Sequence, residues 1–260
     1  MNKSFNASVS PFAALHPQMP AAKTGLSQLV QQLLAQPVES FTQPGLESEP
    51  ITYAAMLLDE SGSMTIHRAS ALDGFNSQVE VIREGAKGAG KTRVSLTKFS
   101  SVPRPVIVAS PVEALLPLEP AQYKPSGGTA LFDAIGLTIE QLLEQPAIHS
   151  PTTAVLVAIF TDGEENSSVR YDGATLKQLI LRLEATGRWT FTLMGPQGNS
   201  VELASILNIS KGNVSTFNPG DQSSTKEAFG TMAGATASYM AMRGMGITAS
   251  ASLYSDLEPK

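Results

Sequence analysis

The sequence contains no cysteine, which excludes disulfides and thiolate metal sites and fits a reducing compartment. Histidine is almost as scarce. A serine hydrolase would need an imidazole base, and only His16, His67 and His149 are available. His16 falls in an N-terminal tail and no spacing recommends the other two; His67, near a helix start, is expected to be exposed. No apolar run approaches the ~18 residues that a membrane-spanning helix requires, so no membrane association is expected. Charged residues make up 16% of the 260, with a formal net charge of −5, which argues against a nucleic-acid-binding surface. Near the N-terminus Pro11, His16, Pro17 and Pro20 follow Lys3 and interrupt any secretory h-region. The expected location is cytoplasmic.

What is present suits one globular domain with an appendage, since hydrophobic residues make up 42% of the chain. Residues 1–48 are rich in Pro, Gln, Ser and Ala and read as a flexible arm. Within it, over 24–36, Leu26, Leu29, Val30, Leu33 and Leu34 form a helical apolar stripe. That helix either folds back on the domain or docks a partner or a second copy of the chain. Residues 49–246 form the domain and 247–260 a C-terminal tail.

Inside the domain, periodicity predicts strands over 51–58, 92–100, 104–109, 153–160, 189–194 and around 214–217. Helices are predicted over 66–86, 130–144, 174–185, 200–207 and 226–242. The alternation is that of an α/β, doubly wound fold, with 104–109 as an edge strand between prolines. Gly230, Ala233, Gly234 and Ala237 are expected to let the last helix lie close to the sheet.

Three segments carry candidate chemistry. The apolar run Ile51 to Leu58 is followed by Asp59-Glu60-Ser61-Gly62-Ser63, so a carboxylate and two hydroxyls converge beyond a buried strand, where open α/β sheets bind ligands. Ser126-Gly127-Gly128-Thr129 opens the helix over 130–144, and the strand over 153–160 leads into Thr161-Asp162-Gly163. Hydroxyls and carboxylates, with nothing soft or imidazole-like among them, suit a hard cation such as Mg²⁺.

Asp-x-Ser-x-Ser, then Thr, then Asp, on these elements and in this order, resembles the metal-ion-dependent adhesion site (MIDAS) of a von Willebrand factor type A domain. The resemblance covers roughly residues 50 to 245. It implies a Rossmann-like, mostly parallel central sheet with one antiparallel edge strand, flanked by helices. It also implies that Ser61, Ser63 and Thr129 touch or approach the metal, while Asp59 and Asp162 act directly or through water. Mg²⁺ is the implied ion, with Mn²⁺ or Ca²⁺ as substitutes, and the partner is another protein that supplies a Glu or Asp. More loosely, residues 187–195 and 211–213 resemble stand-alone cytosolic bacterial or phage members of the family, which implies an adaptor.

Other readings compete with this one. Gly85-Ala86-Lys87-Gly88-Ala89-Gly90-Lys91-Thr92 satisfies the phosphate-loop pattern, yet a helix is predicted before it and a strand after it, the reverse of what a nucleotide hydrolase needs. A structural subunit with an incidental metal site is a further alternative. Glu60, Glu164, Glu165 and Asn166 are expected on a solvated rim. Asp133 is explained either by the helix dipole or by a hydrogen bond to a site hydroxyl. No catalytic residue is assigned; the expectation is a non-enzymatic, metal-dependent protein-binding module.

Overall fold

The computed structural model describes residues 25–41 and 49–254. Ile51–Asp59 forms β1, in which residues of both parities are buried, as in a strand covered on two faces. After α2 (Arg68–Ala89) come β2 (Lys91–Phe99) and β3 (Pro103–Pro111), and then α3 (Leu131–Leu143) and β4 (Ala154–Phe160). The chain continues through α4 (Gly173–Ala185), β5 (Trp189–Pro196), α5 (Asn199–Leu207), β6 (Val214–Phe217) and α6 (Gln222–Gly244).

These strands make a six-stranded sheet in the order β3-β2-β1-β4-β5-β6. Only β3 runs antiparallel, paired with β2 at the edge. The predicted α/β, mostly parallel architecture is therefore the observed one. Ala54, Met56 and Leu58 pack with α2 and α6 on one face, whereas Tyr53, Ala55 and Leu57 pack with α3 and α4 on the other. From β1 the chain winds to β2 on one side and later to β4 on the other. The carboxyl ends of β1 and β4 therefore flank the switch point at which such sheets form a crevice.

The arm contributes α1 (Gln28–Ala35), whose Val30 and Leu33 are fully buried in the cluster shared with α3 and α4. Its Ser27 caps the helix and donates its backbone N–H to Glu140 Oε1 at 3.1 Å. Leu26, Leu29 and Leu34 pack beside that cluster. The rest of the arm, residues 1–24 and 42–48, lies outside the described residues. At the other end the chain runs back over the domain after α6, where Leu253 and Tyr254 are buried.

α2 and α6 pack closely, and of the four small residues expected to bring α6 close to the sheet Ala233 and Gly234 are half-buried. Gly230 and Ala237 face solvent. The close approach is made by glycines of α2: a side chain at Gly74 would begin 2.2 Å from the Phe229 ring, and one at Gly85 would begin 2.5 Å from Met240 Cβ. α6 thus inserts its large side chains into notches on α2.

The phosphate-loop pattern falls on the end of α2 and the start of β2. Gly90 takes φ +78° there, with its Cβ position 2.7 Å from the Pro50 carbonyl oxygen, a conformation natural only to glycine. Lys87 pairs with Glu84 and Lys91 with Glu49, all largely exposed. The predicted order, helix first and strand second, holds, so no strand directs these N–H groups at a phosphate.

Candidate metal centre

β1 ends on Asp59, and the chain then passes through a short 3-10 turn, Gly62–Thr65. Asp59 is fully buried. Its Oδ1 accepts the Ser61 backbone N–H at 2.7 Å, and its Oδ2 accepts the Thr161 hydroxyl at 2.6 Å. Thr161 directly follows β4, so this bond ties the ends of the two strands at the switch point. From the other side the buried Tyr123 hydroxyl donates to the Asp59 backbone carbonyl at 2.5 Å.

Beyond this anchor the remaining oxygens gather. The Ser61 and Ser63 hydroxyls are 3.0 Å apart, and Ser63 Oγ donates to Asp162 Oδ1 at 2.7 Å. A side chain at Gly163 would begin 3.3 Å from Thr129 Oγ1 and 3.6 Å from Ser63 Oγ, so the bare backbone there leaves room for the Thr129 hydroxyl to join the group. Backbone bonds hold the loops in register. Gly62 donates to the Gly127 carbonyl at 3.0 Å and Ser126 to the Glu60 carbonyl at 2.9 Å. Thr129 N–H donates to Asn166 Oδ1 at 2.8 Å, and Asn166 N–H returns a bond to the Thr129 carbonyl at 3.0 Å. Asp59, Ser61, Ser63, Thr129 and Asp162, chosen from sequence, are brought to one place.

The electrostatics suit a cation. Burial pushes the Asp59 carboxyl up to about 6, against the hydrogen bonds of Thr161 and Ser61, and the Asp162 charge adds to the rise. Burial also raises Asp162, with Ser63 opposing it. Among the described residues no cationic side chain pairs with either acid. The donors are two carboxylates and three hydroxyls, and no trio of His, Cys, Asp or Glu gathers among the described residues. Such a set offers oxygen only and a modest negative charge, which fits a hard divalent cation that keeps some of its water.

Several neighbouring residues differ from their predicted settings. Glu60 is not on a solvated rim: it is 8% exposed and accepts from Lys98 Nζ at 2.8 Å and Arg104 Nη2 at 2.9 Å. Burial lowers the Lys98 ammonium while Glu60 supports its charge. Glu165 is turned inward and accepts the N–H groups of Phe132, Ser167 and Ser168. Asp133 bonds no site hydroxyl; it accepts from the N–H groups of Val169, Arg170 and Tyr171 and so folds the β4–α4 loop against α3. His67 is 1% exposed rather than solvated, with Nδ1 3.2 Å from Thr225 Oγ1 and its ring edge on Phe217. Thr161 and Asn166 orient the site without having been assigned to it. The signal for Thr161 was present, as a hydroxyl standing between an apolar strand and a site acid.

The family model of the von Willebrand factor type A domain matches residues 55–231. The chain belongs to this family. Domains of the von Willebrand factor type A family are commonly metal-dependent protein-interaction modules. Solved structures of similar fold include proximal thread matrix protein 1 from the mussel byssus with a zinc-occupied MIDAS motif, 16% identical, covering 72% of this chain and 49% of that one, TM-score 0.51. The von Willebrand domain of a type V pilus tip protein from Porphyromonas gingivalis is 12% identical, covering 76% and 96%, TM-score 0.52. A pilus adhesin from Lactobacillus rhamnosus GG is 13% identical, covering 76% and 31%, TM-score 0.53. At these identities the likeness is one of fold. The chain spans about half the length of the mussel protein and about a third of the adhesin. No curated protein sequence matches it.

Proposed function

We propose that this type A domain is a non-enzymatic docking module that binds a partner protein through a divalent cation, Mg²⁺ in the first instance. Ser61, Ser63 and Thr129 would supply neutral oxygens, with Asp59 and Asp162 bonded directly or through water. The observation that carries this reading is the balance of the donor set: three hydroxyls against two acids leave a bound Mg²⁺ with affinity for one further anionic oxygen, which a partner Glu or Asp can provide. The loops around the site are also built to be touched. Ile66, Val102 and Val169 are 62%, 63% and 91% exposed, on the loops after β1, β2 and β4 respectively, and exposed apolar side chains grouped around a polar centre suit protein contact.

The chemistry of the cluster supports binding over catalysis. Among the described residues neither His67 nor His149 belongs to it, and the Ser61 and Ser63 hydroxyls are hydrogen-bonded to each other and to Asp162, with no imidazole base beside them to activate one as a nucleophile. The test is calorimetric titration of Mg²⁺ and Mn²⁺ into the wild type, Ser61→Ala and Asp162→Ala. Saturable binding by the wild type that both variants lose is expected; equal heats for all three would overturn the reading.

A further inference from the structure

Two pockets of opposite character flank the metal centre along the carboxyl edge of the sheet. On the β5 side, a cavity of about 340 Å³ opens beside Thr161 and Gly163 and runs to α5. Its floor is apolar. Gly173 has no side chain, and one there would begin 2.5 Å from Ile206 Cγ2 and 3.6 Å from Phe132 Cζ; Leu203 completes that surface. Its rim carries Glu164 and Glu202, both exposed and in no ion pair among the described residues.

On the β3 side, a cavity of about 460 Å³ lies against Glu60 and Ser126. Lys98, Arg104 and Lys124 line it against the single carboxylate of Glu60. Glu60 is already bonded to Lys98 and Arg104, so this pocket stays positive. Both cavities fall at the small end of the range of about 300–1,000 Å³ typical of small-ligand sites, a size that one or two side chains fill.

We infer that this face selects an extended segment of a partner protein with a fixed polarity of charge: a central acid for the metal, an aliphatic and basic arm on one side, and an acidic arm on the other. The inference rests on the metal-docking reading above. The aliphatic residue covers Phe132, Leu203 and Ile206, and a Lys or Arg beside it reaches Glu164 and Glu202. In the opposite direction an Asp or Glu meets Arg104 and Lys124. A segment laid the wrong way round sets like charges against each other at both ends, so the two pockets determine direction as well as partner choice. A uniformly acidic strand, nucleic acid included, is repelled at the α5 end.

The experiment is selection of short displayed linear peptides with one fixed central glutamate on the full chain, in Mg²⁺ and in parallel in chelator. Expected are Mg²⁺-dependent peptides with Lys or Arg beside Leu, Ile or Val on one side of the glutamate and Asp or Glu on the other. Their binding falls on the order of tenfold or more in the double variant Glu164→Lys with Glu202→Lys, which selects acidic residues on that side instead, and Lys124→Glu weakens the acidic arm alone. Mg²⁺-dependent peptides without charge asymmetry, or unaffected by the reversals, overturn the inference and leave metal docking standing. Equal selection in Mg²⁺ and chelator overturns the metal reading itself, and this inference with it.

Discussion

The Ser63 hydroxyl donates to Asp162 Oδ1 at 2.7 Å across a sequence separation of 99 residues. That bond joins the loop after β1 to the loop after β4, two parallel neighbours whose register is held from Thr52↔Ala154 to Leu58↔Phe160. The acids brought together there face no cationic side chain among the described residues, so the site's stability is expected to depend on metal.

In thermal unfolding, metal at about a hundred times its Kd is expected to stabilise the wild type by roughly 2.7 kcal/mol. For a domain of this size that is a rise of about 5–10 °C. Asp59→Ala and Asp162→Ala should not respond. A variant that rises as far as the wild type would place the ion elsewhere.

α1 is expected to behave as part of the domain. Leu33 is fully buried, and Leu33→Ala should cost about 2–5 kcal/mol in urea unfolding with the oligomeric state unchanged. Loss of a dimer on substitution, followed by sedimentation, would instead make α1 an interface between copies.

The notches of α2 make a paired prediction. Gly74→Ala drives a methyl group into the Phe229 ring and should destabilise by about 1–3 kcal/mol. Gly230→Ala, whose Cβ meets nothing within 4 Å, should stabilise by roughly 0.5–1 kcal/mol. Denaturant midpoints of the two variants should move in opposite directions; movement in the same direction would mean that α6 is packed differently.

Burial pushes the Glu184 carboxyl up to about 7, above the ordinary 4.5 of a free glutamate. With the folded value above the unfolded one, its contribution is fully present below about 4.5 and is lost as pH rises through about 7. Glu184→Gln should therefore gain on the wild type between those values and hold a constant lead above them. Parallel unfolding curves at all pH values would show that the group is solvated.

Lys91→Ala removes only an exposed pair with Glu49, and its effect on stability should stay within about 0.5 kcal/mol. ATP with Mg²⁺ should shift the melting of neither protein beyond what Mg²⁺ alone does. A nucleotide-dependent shift lost in Lys91→Ala would restore the phosphate-loop reading.

Much of this molecule was legible one element at a time. The buried run before Asp59, the strand before Asp162 and the helix after Thr129 each show their character within a few residues, because burial on both faces demands a continuous apolar run. Asp59, Ser61, Ser63 and Asp162 were candidates because an open sheet places polar groups at the carboxyl ends of its parallel strands, and Thr129 was one because it stands at the start of a helix after a double glycine. Glu60 was not legible in this way. A carboxylate in a loop reads as solvated until its partners are known, and Lys98 and Arg104 stand on strands that the chain has yet to form. His67 is of the same kind, covered by Phe217 and Thr225 from far along the sequence.

The sequence by itself determined which residues could be strands, which oxygens would stand at their ends, and that the donors would be hard, because these depend on local periodicity and on side-chain chemistry. Tertiary structure alone decided that Thr161 orients Asp59, that Phe229 fills the notch at Gly74, and that a positive pocket and an acid-rimmed apolar one stand on either side of the metal centre. Those relationships arise from strand order and from which helix faces meet. Contacts of that kind depend on the packing of distant segments and leave no periodic trace in any one of them.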